Sequence, residues 1–510
     1  MRMPARARSR RSRLAATAVV VAAVAWPATS VAQEPRWPSS SQPRALKARE
    51  VVFPPYETRT LANGLTVAIV PHREQPMVSL RLLVRAGSAQ DPAGKHGLAS
   101  MVATLLDQGT TTKTAQQVAE TIDFAGGDLS VGGGRDLTYA NVTVMTDSLD
   151  LGVGLLADVV RRPAFAGEEL ERQRKQVIAA LRIGHEKPEY LAVALLDRLV
   201  FGSHPYGYPK DGTPATVETL TREDLVRFHD RYYVPNNCLL AVAGDVSVDQ
   251  AMAAVGAAFG DWPRRDVPAA PVAVPPKPAR RVVIVDKPDA VQTEIRVGHI
   301  GVRRKSNDVM AVDLAIRILG GEGANRVYRV LRAERGLTYT AAVDSDTLKA
   351  SGLIVGRTST KPETTAEAVR VLIDEFWRLR REGVAEEELA GVKSFLTGRF
   401  PLTVETPNDI ASQVLEVLFY DLPAAELQSF RRRVEEVTVD DIERVAFGYV
   451  QPGNLSVVLV GNAAAIVDQV KRAGLGRVDV VRLSDLDLIA PDFTRKGPAG
   501  GAADAPGRRH

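Results

Sequence analysis

The chain has 510 residues, 45% of them hydrophobic and 25% charged, with a formal charge of +4. That length exceeds a single core and implies two or more domains, and the composition is that of an ordinary folded protein rather than a fibrous or low-complexity one. The single cysteine excludes an intrachain disulfide, and no basic patch interleaved with aromatics speaks for nucleic acid.

Residues 1–32 read as an export signal. Arginines at 2, 6, 8, 10, 11 and 13 precede the apolar run Leu14–Trp26, and Ser30-Val31-Ala32 has the small-x-small form of a signal-peptidase site. Cleavage near Ala32 would leave Gln33 as the mature start. Ser9-Arg10-Arg11 is a fragment of a twin-arginine signal, but Arg13 stands where an aromatic is expected. The apolar run is short for a bilayer, so no stable membrane anchor is expected, an uncleaved anchor being the alternative. Because residues 1–32 hold six arginines and no acid, the mature charge is 4 − 6 = −2. A periplasmic or otherwise exported protein is the expectation.

A polar lead-in (33–55) comes before the first folded region, 56–262. Asn63-Gly64 marks a turn, and strand-like runs follow at Leu65–Pro71 and Met77–Arg85. Asp91-Pro92 reads as a helix start for GLASMVATLLDQGT (Gly97–Thr110). In it Leu98, Met101, Val102 and Leu105 form a core-facing stripe and leave Ser100, Ala103 and Thr104 on another face. A second helix is expected around Ala115–Phe124. Asp128–Gly134 (DLSVGGG) follows, where the glycines weaken a strand and leave a loop open as a reading. His96 reads as a solvated or capping residue, and His185-Glu186, cut off by Pro188, as a solvated helix end. Cys238 lies in an apolar run, Asn237–Val242, that reads as a buried strand with a core cysteine.

After Trp262, prolines at 263, 268, 271, 275, 276 and 278 make 263–280 an extended linker. A second folded region spans 281–490, and the Gly/Ala/Pro-rich tail 491–510 is expected to be disordered. An internal repeat links the two regions. Thr221–Asp245 (TREDLVRFHDRYYVPNNCLLAVAGD) matches Thr438–Asn462 (TVDDIERVAFGYVQPGNLSVVLVGN) at an offset of 438 − 221 = 217. Each copy is a helix, a Tyr-Val boundary, an Asn-containing turn, an apolar strand and a glycine. Strands and helices alternate without a Gly-rich phosphate loop, which favours an α+β architecture of two homologous sheet-and-helix units.

Two segments carry a family resemblance that covers nearly the whole mature chain. GSAQDPAGKHGLASMVATLLDQGT (Gly87–Thr110) resembles the pitrilysin/insulinase metallopeptidases, processing peptidases included, in which the segment reads GS…G-x-A-H-x-x-E-H-x-x-x-x-G-T. ILGGEGANRVYRVLRAERGLTY (Ile318–Tyr339) is similar to the family's L-G-x-G-x-x-S-R-L-x-x-x-L-R-x-x-x-G-L-x-Y, with Asn325 and Val327 departing from it. The resemblance implies two roll domains forming a clamshell around a peptide. It puts Ser100 and Thr104 at the two histidine positions, Ala103 at the general-base glutamate, and Ala180, on the helix-like run Glu168–Arg182, at the third ligand. A hydroxyl is a poor zinc ligand and a methyl group is no base, so this chain is expected to bind no metal. His204-Pro205-Tyr206-Gly207 also resembles a family segment and reads as structural. In the family the edge strand, here including Ser130 and Val131, pairs with extended substrate. Arg332 and Tyr339 match an arginine–tyrosine pair that reaches the scissile peptide. On spacing alone they read as a helix-capping arginine and a strand aromatic, and Arg326 as an ion-pair residue.

A lost zinc site beside a retained Arg332–Tyr339 pair implies the non-catalytic, substrate-binding subunit of a heterodimeric zinc metallopeptidase. Its expected partners are a zinc-bearing H-x-x-E-H homologue and a peptide or unfolded protein. The alternative is a proteolytically inert binding or scaffold protein of the same fold. A relocated metal site is disfavoured, since none of the seven histidines pair at ligand spacing.

Overall fold

The computed structural model describes residues 51–268, 280–321 and 325–495. The export signal, most of the lead-in, most of the proline-rich linker and the end of the tail lie outside the described residues. The first half contributes six strands: β1 (Glu57–Thr60), β2 (Thr66–Pro71), β3 (Met77–Val84), β4 (Asp128–Gly133), β5 (Thr138–Met145) and β6 (Cys238–Gly244). Five helices concern the site and its support: α1 (Leu98–Leu105), α2 (Ala115–Phe124), α3 (Leu149–Arg161), α4 (Gly167–His185) and α5 (Pro188–Phe201). The second half adds β7 (Val282–Asp286), β8 (Thr293–Gly301), β9 (Ala341–Thr347), β10 (Gly352–Thr360), β11 (Ser456–Gly461) and β12 (Val478–Arg482).

These strands make two sheets, ordered β1-β2-β6-β3-β5-β4 and β12-β7-β11-β8-β10-β9. Five strands match in order and sense. In each half the repeat strand (β6 or β11) runs parallel to the half's first long strand (β2 or β7) and antiparallel to the next (β3 or β8). The duplication is therefore topological as well as sequential. Both repeat helices, Arg222–Tyr232 and Val439–Tyr449, open on a threonine capping box: Thr221 with Asp224, Thr438 with Asp441.

Each sheet is covered on both faces, and the strands read accordingly. Along β6, Cys238, Leu240 and Val242 enter the core of the first half, while Leu239, Ala241 and Ala243 face the helix Pro407–Phe419 of the second half. Along β11, Val457 and Leu459 enter the second core, while Val458 and Val460 face α5 of the first. The halves thus exchange one helix each across the outer sheet faces. Their hairpin tips also meet. Tyr206, in the His-Pro-Tyr-Gly segment, donates to Asp136 Oδ1 (2.5 Å) and accepts from Ala350 N (3.1 Å), and Asp136 Oδ2 accepts from Lys349 N (3.0 Å).

Several expectations need correction. The helix opened at Asp91-Pro92 begins only at Leu98, because Asp91 acts from a distance: its two carboxylate oxygens accept from Gly97 N and Ala99 N, both at 2.8 Å. The order of the fold extends into both flanking segments, since Phe53 packs with the 407–419 helix and Phe493 is buried against α5 and β12 residues. The tail assigned to disorder is therefore ordered at least through Arg495. His185 is half-buried beside the Tyr190 ring (5.6 Å) rather than solvated. Of the two readings of DLSVGGG, the strand holds, over Asp128–Gly133.

His299 on β8 is fully buried, with Nδ1 2.8 Å from the Ile300 carbonyl and Nε2 accepting from Gln451 N at 3.2 Å. Both nitrogens are committed to the neutral ring, and burial lowers the pKa from 6.5 to about 4. Between those values the unfolded chain takes up a proton that the folded chain refuses, so stability is complete above pH 6.5 and falls as pH drops toward 4. The expected loss is roughly 3 kcal/mol at about 1.4 kcal/mol per unit. Urea titrations from pH 7 to 4 should show this slope in the native chain and a shallower one in His299→Gln; equal slopes would refute it.

Candidate functional site

The first half of the site is built on α1. Gly97 precedes it at φ +95°, and a Cβ there would come within 2.7 Å of the Asp211 carbonyl, so glycine is required where loop and helix meet. Ser100 Oγ donates to Asp211 Oδ1 (2.6 Å), and Thr104 Oγ1 donates back to the Ser100 carbonyl (2.9 Å). Ala103 is buried beneath β4: a Cβ added at Gly133 would sit 3.5 Å from its methyl carbon and 3.7 Å from Ser100 Cα. Ala180, on α4, is exposed. Burial pushes the Asp91 carboxyl up to about 7, opposed by backbone N–H donors at the helix start and reinforced by Asp211.

These residues do not fit a zinc ion. Both hydroxyls are spent on protein acceptors, two positions offer only methyl groups, and among the described residues no three His, Cys, Asp or Glu side chains are grouped to hold a metal. His96, beside the helix, is half-buried and stacks on Tyr208 at 4.1 Å instead of being solvated. The purified chain is accordingly expected to carry substoichiometric zinc by elemental analysis and to melt at an unchanged temperature in chelator. One tightly held zinc per chain, or a chelator-dependent melt, would overturn that.

β4 is the last strand of its sheet. Ser130 and Val131 pair with Asn141 and Ala140 of β5 on one side, and among the described residues no strand pairs with the other side of the backbone. It runs directly over the α1 face that holds Ser100 and Ala103.

The second half of the site lies ahead of β9. Asn325 caps a helical turn by accepting from Tyr328 N (2.8 Å), and the backbone then widens to a π-helix over Arg329–Glu334. Arg332 leaves this turn with Nη1 donating to the Tyr339 carbonyl (2.8 Å). Its guanidinium carbon lies 5.2 Å from the Tyr339 ring centroid and 5.7 Å from that of Tyr328. Tyr339 is 77% exposed, so it is neither a packed strand aromatic nor a core residue. Arg326 is a buried ion-pair residue, bound to Glu388 (2.6 and 2.8 Å) and the Gly383 carbonyl. Val327 is buried.

The structure thus brings Arg332 to Tyr339, Ser100 and Ala103 to β4, and Thr104 to the Ser100 carbonyl. Among the described residues no hydrogen bond, ion pair or ring contact joins the two clusters. Asp211 escaped the sequence reading, since it meets Ser100 across 111 positions with no periodic signal.

Two tandem rolls, with an H-x-x-E-H frame emptied of its ligands, define a metallopeptidase-like chain. The chain belongs to the insulinase (M16) peptidase family: residues 66–210 match "Insulinase (Peptidase family M16)" and residues 219–396 match "Peptidase M16 inactive domain". It is 29% identical to an uncharacterized zinc protease of Mycobacterium tuberculosis over 76% of this chain and 89% of that one. To another of Bacillus subtilis it is 22% identical, over 69% and 86%. Among solved structures it resembles a peptidase M16 inactive domain from Pseudomonas fluorescens, with TM-score 0.76 and 28% identity over 80% of this chain and 98% of that one. A protease from Helicobacter pylori shares the fold at TM-score 0.76 and 22% identity, over 80% and 100%.

Proposed function

We propose that this chain is the substrate-binding, non-catalytic member of a two-chain zinc metallopeptidase and is inactive alone. The observation that carries the reading is an asymmetry of repair. The two former histidine positions are turned to internal hydrogen bonds, Ser100 to Asp211 and Thr104 to the Ser100 carbonyl, whereas Arg332 and Tyr339 stand together with the tyrosine in solvent. A chain that had lost all contact with substrate has no use for an exposed tyrosine held by its backbone carbonyl.

In this reading the free edge of β4 takes an extended peptide by strand addition, which tolerates many sequences because the bonds go to backbone. Arg332 and Tyr339 donate to a substrate carbonyl and to the oxyanion that forms on it. The hydrolytic water comes from a homologous partner bearing H-x-x-E-H. Export to the periplasm belongs to the same proposal.

The test is to tag the full chain at its C terminus in its native host, purify what accompanies it, and assay the recovered material on a quenched fluorescent peptide. Recovery of a zinc-bearing homologue with peptidase activity supports the reading. A lone, inactive protein refutes it and leaves the inert binding or scaffold protein.

A further inference from the structure

We infer that Thr358 and Thr360, two buried threonines of β10, are positioning residues that pre-set the Arg332–Tyr339 pair; the inference rests on the reading of that pair as substrate-binding. The connection from the π-helical turn to β9 is Arg335–Thr340, and in its last four residues, Leu337–Thr340, three carbonyls are taken by side chains. Thr360 Oγ1 donates to the Leu337 carbonyl (2.7 Å), Arg332 Nη1 to that of Tyr339 (2.8 Å), and Thr358 Oγ1 to that of Thr340 (2.9 Å). Thr338 Oγ1 adds a second bond to the Thr340 carbonyl (2.8 Å), filling both its lone pairs.

Thr358 and Thr360 are 3% and 2% exposed, and two residues apart on a strand they share one face. Valine would fill the same space with better β propensity, so the hydroxyls are explained by what they bind. Thr364 Oγ1, 2.7 Å from Thr360 Oγ1, extends the array toward the next helix. The loop is thereby tied at both ends to the rigid sheet, with the tyrosine ring turned outward between the ties. Ordering of Tyr339 is completed in the folded chain, so substrate meets a phenol and a guanidinium already in place.

The test uses isosteric removal and conservative rescue. In the isolated chain, hydrogen exchange at the Leu337 and Thr340 amides should quicken by about tenfold or more in a T358V/T360V variant with little change in melting temperature, and T358S/T360S should restore protection. In the recovered complex, on the same fluorescent peptide, the valine variant should lose on the order of 10²-fold in kcat with KM nearly unchanged, as expected for a misplaced group. Unchanged exchange, or normal kcat in the valine variant where Arg332→Ala lowers kcat by about 10²-fold or more, would overturn the inference. If Arg332→Ala is itself harmless, the substrate-binding reading fails instead, and the exchange result still decides whether the threonines order the loop.

Discussion

Arg332→Ala, assayed in the complex with the zinc-bearing homologue, is expected to lower kcat by roughly 10²–10³-fold, the loss that follows removal of one oxyanion donor, or about 3–4 kcal/mol. Assembly should survive, because among the described residues the side chain's bonded and ring partners are Tyr339 and Tyr328. Tyr339→Phe should cost less: it removes the phenolic proton but keeps the ring beside the guanidinium. The two changes should be strongly non-additive, since the alanine also frees the Tyr339 carbonyl and lets the tyrosine drift. Steady-state kinetics of both single variants and the double variant would show this. A complex that cleaves at the wild-type rate with Arg332→Ala would make the pair a remnant and favour the scaffold alternative.

The second large effect concerns the exchanged helices. Leu195 of α5 and Leu415 of the 407–419 helix are fully buried, each against the sheet of the opposite half. Leu195→Ala and Leu415→Ala should each cost about 2–5 kcal/mol, the usual range for a large-to-small change in a packed core. Because each helix belongs to one half and packs on the other, both substitutions should lower one shared unfolding transition. Calorimetry showing two transitions, with only one moved by each substitution, would contradict this.

Much of the fold was legible where local patterns suffice. The stripe of Leu98, Met101, Val102 and Leu105 is buried on α1, the second helix spans Ala115–Phe124, and the 217-residue offset surfaces as two sheets of matching strand order. What failed were properties set by distant partners. Hydrophobic periodicity says that α5 and Pro407–Phe419 bury a face, but nothing in their spacing says that the cover is the other half's sheet. Asp91 looked like a helix start because it does serve that helix, through a side chain reaching forward rather than a backbone that begins to turn. At the site, Ser100 and Ala103 of the motif meet at β4, and Arg332 meets Tyr339. The Asp211 tether and the threonines behind Tyr339 were hidden, for a hydroxyl's partner is fixed by tertiary approach and not by sequence interval. The buried phenylalanines at 53, between two valines and two prolines, and 493, between an aspartate and a threonine, sit in stretches that carry no period.

The helix exchange also dictates an order of events during synthesis. β6 completes the first sheet at Gly244, yet its outer cover begins at Pro407, 163 residues later (407 − 244). Until then Ala68, Val70, Leu239, Ala241 and Ala243 present an open apolar face on a nascent chain. Pairing over such separations is slow, and uncovered sheet faces are where growing chains stick to one another. Until the second half has been made, that face is open to association unless it is held covered or the half stays unfolded. A message truncated between the two repeats would yield an aggregating fragment rather than a smaller working domain.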